Sequence, residues 1–419
     1  MTALPTVSLV IVSRDRPAEL CRLLVSLRYL NYPNFEVVVV SNSDPKQDFP
    51  AVYNIENIKF VRCDAANISM ARNMGIAASG GSIIAFCDDD AVPESSWLDY
   101  LTEPFSDPGV AAAGGYVRAR NGISFQWKGR SFDRFGAHQE LELDEVTPTI
   151  FSPSSRVNIK TEGTNCAFRK QVLIDLGGFD ENFVYYLDET DLNARISIAG
   201  LKTALVPRAE VHHGFAASLI RRQDRAPKNL FEIGASKAWY LKKHGIAEEI
   251  YLELAKFRTA QEKRLVGFMV QGFLAPDQIS GLLAGLDAGM KAGLQRQHKV
   301  YEFKNDQPGF QMINPAKKPG QNLAITSGYF NRRAAHETAK NKAASGLNIT
   351  IFQFSLSSMF HKMEFVADGY WVQSGGLFGR SDRSDPLFQL TGFKSRMQKE
   401  ISRLAGVRPL EVLRSGRDL

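Results

Sequence analysis

Short unbroken apolar runs alternate with helical stripes through the first half of the chain. Val7–Ser13 is a β-branched run that reads as a buried strand. Pro17–Leu30 carries Leu20, Leu23, Leu24 and Leu27 at helical spacing. Phe35–Val40 is a second buried strand, fenced by Pro33 and by the turn cluster Ser41-Asn42-Ser43-Asp44-Pro45. Asn57–Val61 gives a weaker strand, Ser69–Ser79 a helix stopped by Gly80-Gly81, and Ile83–Cys87 a strand that runs into three aspartates. This order predicts an α/β fold, a mostly parallel sheet with helices on its faces. In such sheets ligands bind beyond the carboxyl ends of the strands, and the polar clusters after Val12, Val40 and Cys87 lie at such ends.

The second half changes character near His244-Gly245, where a helical stretch ends and a long helical pair is predicted at about 247–265 and 276–296. Beyond the Pro/Lys/Gly-rich loop Pro315–Gly320, Asn322–Thr326 reads as strand, Arg332–Ala344 as helix and Asn348–Phe354 as strand. We expect two domains, 1–244 and 245–419, the second helical and α/β. Charge divides at the same place. Residues 1–244 hold 27 Lys/Arg against 29 Asp/Glu, and residues 245–419 hold 24 against 16. The basic excess suits a solvated surface, or a contact with an anionic membrane or a polyphosphorylated partner. Neither RNA-motif aromatics, zinc fingers nor a basic helix appears, so nucleic acid is not expected.

At 419 residues, with 44% hydrophobic and 23% charged positions, the chain excludes a disordered or coiled-coil protein. The four cysteines, Cys21, Cys63, Cys87 and Cys166, are widely spaced and form no C-x-x-C pair. That argues against a disulfide scaffold or a zinc knuckle and for a reducing compartment. The run Val7–Val12 is too short for a signal sequence, and no run of about 18 apolar residues offers a spanning helix. The expected location is cytoplasmic, with any membrane material approached from the inner face.

Candidate chemistry sits in two places. Asp88-Asp89-Asp90 ends a buried strand, and three carboxylates there repel each other unless a cation neutralises them. Oxygen ligands at this density suit Mg²⁺ or Mn²⁺; the alternative is an acidic turn that caps the helix after Pro93. Upstream, Arg72 and Asn73 are expected at the start of a helix whose free N–H groups favour phosphate, or, for Arg72, in a surface ion pair. Much later come Gly163-Thr164-Asn165, Gly178-Phe179-Asp180-Glu181, Asp188-Glu189-Thr190-Asp191-Leu192 and His212-His213. Paired carboxylates opening a helix can supply a general base, or serve as caps and dipole partners.

The ordered set Ser41-Asn42-Ser43, Ala71-Arg72-Asn73-x-Gly75, Asp88-Asp89-Asp90, Gly163-x-Asn165, Gly178-Phe179-Asp180-Glu181 and Asp188-Glu189-x-Asp191-Leu192 resembles family 2 glycosyltransferases over about residues 5–240. The resemblance implies a GT-A fold and inverting transfer from a nucleotide-diphospho-sugar. It implies that Ser13, Arg14, Asp15, Arg16, Ser41 and Asn42 hold base and ribose, with Arg72, Asn73, Asp88 and Asp89 along the nucleotide. A divalent metal, Mn²⁺ or Mg²⁺, would rest on Asp90 with Asp88 and a histidine, for which the frame favours His213 over His212. Gly163, Thr164 and Asn165 would lie on the acceptor side. The base falls on the Asp188-Glu189 pair, where the family usually has Glu-Asp; position favours Glu189 and residue type Asp188. Ser41 stands where the family commonly has Asp, which leaves the donor open among UDP, dTDP and GDP. The acceptor class is a glycan or lipid-linked glycan. Residues 245–419 fall outside the resemblance and are expected to be accessory, contacting membrane or acceptor. Two other classes compete: a sugar-1-phosphate nucleotidyltransferase, which would want a Gly-rich N-terminal phosphate loop, and a non-catalytic glycan-binding scaffold.

Overall fold

The computed structural model describes residues 4–43, 57–154, 157–214, 216, 220–299, 301–303, 308–313, 321–328 and 331–413. The expected loop Pro315–Gly320 lies outside these. Among the described residues, thirteen strands occupy the first part: β1 (Val7–Ser13), β2 (Phe35–Ser41), β3 (Ile58–Arg62), β4 (Ile83–Cys87), β5 (Ala91–Pro93), β6 (Val110–Arg118), β7 (Phe125–Trp127), β8 (Arg130–Phe132), β9 (His138–Glu140), β10 (Thr149–Phe151), β11 (Asn158–Lys160), β12 (Asn165–Arg169) and β13 (Lys202–His213). The main sheet runs β10-β13-β6-β12-β4-β1-β2-β3, with β5 added to β13 and β7 to β6; β8, β9 and β11 form a small second sheet.

β1, β2, β3 and β4 are parallel, as the alternating pattern predicts. β12 enters antiparallel between β4 and β6, so the sheet is mixed. β2 and β4 are buried along their whole length, the apolar runs Val37–Val40 and Ile83–Cys87 included, which is what helices on both faces require. One of those helices, Ile68–Ala78, lies so close that a Cβ on Gly75 would come within 2.4 Å of a Val10 methyl. β13 carries a bulge. Val206 pairs with Gly115 and Glu210 with Tyr116, leaving Pro207, Arg208 and Ala209 looped out between them.

The helix Phe231–His244 packs on Pro276–Gln295, with Ile250–Val270 alongside. A Cβ on Gly289 or Gly293 would meet the Phe231 or Ala235 carbonyl oxygen at 2.0 or 2.2 Å, so only glycine allows the approach. Leu230, Leu241, Leu254, Leu265 and Leu286 share this core. The expected division after His244 therefore falls inside a helical unit that lies on both sides of it. Leu265 points into that core, whereas Val270 is 78% exposed.

The last part is a parallel sheet closed by one antiparallel strand: β14 (Asn322–Ser327), β15 (Asn348–Ser355), β16 (Lys362–Phe365), β17 (Trp371–Gly376) and β18 (Glu411–Val412), in the order β16-β17-β15-β14-β18. One of its faces buries Phe352, Phe365 and Trp371, together with Leu404 of the helix Phe393–Leu404, in one core with Val25, Tyr29, Val92 and Ile123 of the first part. Tyr29 Oη donates to the Gly369 carbonyl at 2.7 Å, and Tyr100 Oη to that of Gly406 at 2.9 Å. No helix among the described residues is long and apolar enough to cross a membrane.

Candidate active site

The carboxyl ends of β1 and β4 meet at the aspartates. Asp89 is fully buried, accepts a hydrogen bond from Ser13 Oγ at 2.8 Å and pairs with Arg16 at 2.9 Å. Burial pushes its carboxyl up to about 8, against the pull of the Arg16 charge. Asp89 is thus turned inward, where it orients Ser13 and Arg16. The loop beyond β1 is latched to the end of β2. Asn42 Nδ2 donates to Asp15 Oδ1 at 2.7 Å, and Asp15 N donates to Asn42 Oδ1. Arg14 donates to the Asp64 carbonyl, and Ser41 Oγ lies 3.0 Å from Ser43 Oγ.

Asp88, Asp90 and His213 bring one candidate ligand atom each to within 4.8 Å of one another. Backbone pairing explains the meeting: β5 follows Asp90 directly, and its Ala91 lies opposite His213 of β13. His213 Nε2 stands 3.4 Å from Asp90 Oδ1, while Nδ1 faces Gln126 Oε1 at 3.2 Å. The His213 ring can donate from Nε2 to Asp90; with its Nδ1–H given to Gln126 instead, it would offer the Nε2 lone pair beside the Asp90 carboxylate to a cation. Burial alone would raise the Asp90 carboxyl, but His213, Arg16 and the Ala216 N–H hold it below the ordinary range, hence ionised. This mixed oxygen and imidazole donor set fits a divalent ion such as Mn²⁺. His212 faces the other way. Its Nε2 lies 2.8 Å from Glu94, and its ring centroid 4.6 Å from that of Trp371. Burial lowers its basicity to about 4, so it is neutral at pH 7.

Arg72 is the hub of the site. Its guanidinium pairs with Asp188, donates to the Gly163 carbonyl at 3.1 Å and stands 3.9 Å from Asp88. It rests between the rings of Phe86 and Phe179, which fixes its direction. The helix carrying it starts at Ile68, capped by Asn67, whose side chain accepts from Met70 N. Arg72 and Asn73 therefore lie past the first turn and away from its free N–H groups, contrary to expectation. Asn73 is fully buried, and its amide pairs with the Phe179 backbone in both directions at 2.8 Å. It positions the Gly178–Glu181 segment.

Asp188 and Glu189 open the helix Asp188–Ile198, as expected. The approach is strained, for Tyr186 and Leu187 hold φ of 78° and 66°. Glu189 pairs with Lys160, which also donates to Thr190 Oγ1 at 2.9 Å. Burial raises Asp188, with Arg72 opposing and the Glu189 charge adding to the rise. Burial would raise Glu189 too, but Lys160 holds it down. The Glu189 side chain keeps 15% exposure, that of Asp188 5%.

Asn165 departs furthest from expectation. It is fully buried and spends its amide inside the sheet: Nδ2 donates to the Tyr116 and Ala209 carbonyls, and Oδ1 accepts from Trp97 Nε1 at 2.8 Å. Thr164 is also buried, and Gly163 contributes its carbonyl to Arg72. Sequence reasoning missed Lys160, Gln126 and Glu94. Each is a lone polar residue whose partner is far along the chain, and no local pattern marks it.

The profile of Glycosyltransferase like family 2 matches residues 5–226. The O-antigen biosynthesis protein RfbC of Myxococcus xanthus is 28% identical over 236 residues, covering 54% of this chain and 18% of that protein. The pre-mycofactocin glycosyltransferase of Mycobacterium tuberculosis is 28% identical over 264 residues, covering 56% of this chain and 52% of its own length. The match thus spans about half or less of these relatives. Among solved structures, mannosyltransferase PcManGT from Pyrobaculum calidifontis, in complex with GDP-Man and Mn²⁺, aligns at 16% identity with a TM-score of 0.42, over 70% of this chain and 88% of that one. The family profile covers more than half of the chain and takes in the aspartates, Arg72, the Asp188-Glu189 pair and His213, and on that ground the chain belongs to the glycosyltransferase like family 2.

Proposed function

We propose that the chain transfers a sugar, with inversion, from a nucleotide-diphosphate donor to a hydroxyl of a glycan or lipid-linked glycan. The observation that carries this reading is the meeting of Asp88, Asp90 and His213 beside Arg72, which in turn holds Asp188 next to Glu189. Asp88, Asp90 and His213 would hold a divalent ion, Mn²⁺ or Mg²⁺, which supplies positive charge to the diphosphate leaving group. Glu189, the more open of the two carboxylates, takes the proton of the attacking hydroxyl, and Lys160 keeps it ionised beforehand. Arg72 fixes Asp188 at its side. Positioned proton transfer of this kind contributes roughly 10²–10⁴-fold in rate. The latched loops of Asp15 and Asn42, with Arg14 and Ser41, frame the base and ribose. UDP, dTDP and GDP all remain candidates, because no carboxylate stands at Ser41.

Thermal-shift measurements with UDP-, dTDP- and GDP-sugars, with and without Mn²⁺, test this directly. A true donor at 100 times its Kd adds about 2.7 kcal/mol. If no donor stabilises the protein and none is hydrolysed, the reading is wrong. Peripheral contact with an anionic membrane is a second part of the proposal. The basic excess of residues 245–419 and the exposed side chains of Leu356, Met359, Phe360, Leu387, Phe388 and Leu390 support it. Salt-sensitive sedimentation with anionic vesicles is expected, and its absence refutes that part.

A further inference from the structure

Behind the candidate metal group a buried charge pair joins the last part of the chain to the site, with Glu94 inside the span of the family profile and its partner Arg408 beyond it. Arg408 and Glu94 are both fully buried. Arg408 grips the carboxylate with two prongs, Nε to Oε2 at 2.9 Å and Nη2 to Oε1 at 3.0 Å. Glu94 Oε1 also takes the Nε2–H of His212 at 2.8 Å. Trp371 of β17 closes the arrangement, with the Arg408 guanidinium 4.0 Å from its ring centroid and the His212 ring at 4.6 Å.

The place of Glu94 in the chain gives this its meaning. It directly follows β5, four residues after Asp90. His212 is the neighbour of His213 on β13, and β5 pairs with that stretch of β13 through Val211, His212 and His213. One carboxylate therefore ties together the two strands that bring Asp90 and His213 face to face, and one guanidinium from the end of the chain holds that carboxylate. The same docking carries Met363 and Phe365 of β16 into the wall of a cavity of about 640 Å³ that also contains Asp90 and His213.

We propose that Arg408, through Glu94 and His212, is a positioning residue for the Asp90–His213 metal site, so that residues beyond the family profile set its metal affinity. The proposal rests on the metal reading above. Groups that orient ligands from behind are worth roughly 10–100-fold in metal affinity. The test is Mn²⁺ titration of the full-length protein, with free Mn²⁺ read by electron paramagnetic resonance, so that no turnover is needed. Arg408→Gln strands a buried carboxylate and risks the fold. Two gentler variants are therefore used. Arg408→Lys keeps the buried charge without the two-pronged grip, and Glu94→Gln with Arg408→Met removes both charges together. Tyr100→Phe is the control. It deletes a hydrogen bond across the same interface, to Gly406, without touching Glu94.

The expected result is a Kd for Mn²⁺ raised about tenfold or more in the double variant, several-fold in Arg408→Lys, and unchanged in Tyr100→Phe. Wild-type affinity in either folded Arg408 variant overturns the proposal, as does an equal loss in Tyr100→Phe, which would mark a general interface effect. Absence of saturable Mn²⁺ binding in the wild-type protein refutes the metal reading itself and takes this inference with it.

Discussion

Asn165→Asp tests the reassignment of Asn165 from acceptor contact to sheet interior. The exchange keeps the shape of the side chain but replaces two N–H donors by a carboxyl. In the native protein those donors serve the Tyr116 carbonyl at 2.9 Å and the Ala209 carbonyl at 2.8 Å. A carboxylate there would put negative charge against two carbonyl oxygens in a dry core, so the new group stays protonated while the chain is folded. Its single O–H satisfies one carbonyl, and the orphaned other costs about 1–3 kcal/mol at any pH. Unfolded, the same group ionises near the ordinary value of about 3.9. Its folded pKa is thus raised, so the native state holds a proton that the unfolded state releases. This added penalty is absent below about pH 4 and grows by about 1.4 kcal/mol per pH unit above it, up to the folded pKa. Between pH 5 and pH 7 the gap to wild type should widen by about 2.7 kcal/mol. Urea unfolding followed by tryptophan fluorescence at the two pH values measures it, and Trp97 donates to the mutated side chain itself. A gap that does not change with pH refutes the reasoning. A gap near zero combined with weakened acceptor binding would return Asn165 to the acceptor side.

Asp90→Ala should abolish most Mn²⁺-dependent donor binding while the fold persists, and unchanged Mn²⁺-dependent turnover would sink the metal assignment. Glu189→Gln should keep donor affinity and lose roughly 10²–10⁴-fold in transfer, with Asp188→Asn milder; a fully active Glu189 variant beside a dead Asp188 variant moves the base to Asp188. Arg72→Met strands Asp188 in the interior and should cost about 3–5 kcal/mol by chemical denaturation. Adding Asp188→Asn should recover much of that loss, and no recovery would show that the pair is not the source of it.

Local pattern carried the sequence reading where burial is continuous. β1, β2 and β4 are rich in apolar residues on both faces, which only a strand covered on both sides can hide, and the helix Arg332–Ala344 has in the fold the bounds that its sequence predicts. The aspartate triplet stood out because adjacent carboxylates at the end of such a strand repel one another, whereas the inward turn of Asp89 onto Ser13 and Arg16 left no local mark. The surroundings of Asn165 and Asn73 were not legible, for a common reason. An amide in a polar motif looks available to ligand, and only the fold reveals that backbone groups of Tyr116, Ala209 and Phe179 already consume it. The antiparallel entry of β12 was equally hidden, since alternation of strand and helix argues for parallel neighbours and β12 inserts between β4 and β6 out of chain order. The division after His244 was drawn from a change in pattern, whereas the helices on its two sides are joined by glycine-mediated contact that no periodicity encodes. Arg408 lies 314 residues from its partner Glu94. One arginine near the end of a basic segment carries no signal of such a contact.

The bulge at Pro207–Ala209 and the tandem histidines beyond it couple strand length to chemistry. Alternate residues of a strand face opposite sides, so a change of one residue in the bulge exchanges the faces of everything after it. An insertion there would carry His212 to the place opposite Ala91 where His213 now meets Asp90, and would put Val211 against Trp371 and Glu94. A deletion would do the reverse, keeping an imidazole for Glu94 and sending Gly214 to the aspartates. The doublet therefore makes β13 tolerant of an indel at either one of its two contacts but never at both, and relatives that differ by a residue in this bulge should retain whichever of the two imidazoles their chemistry needs.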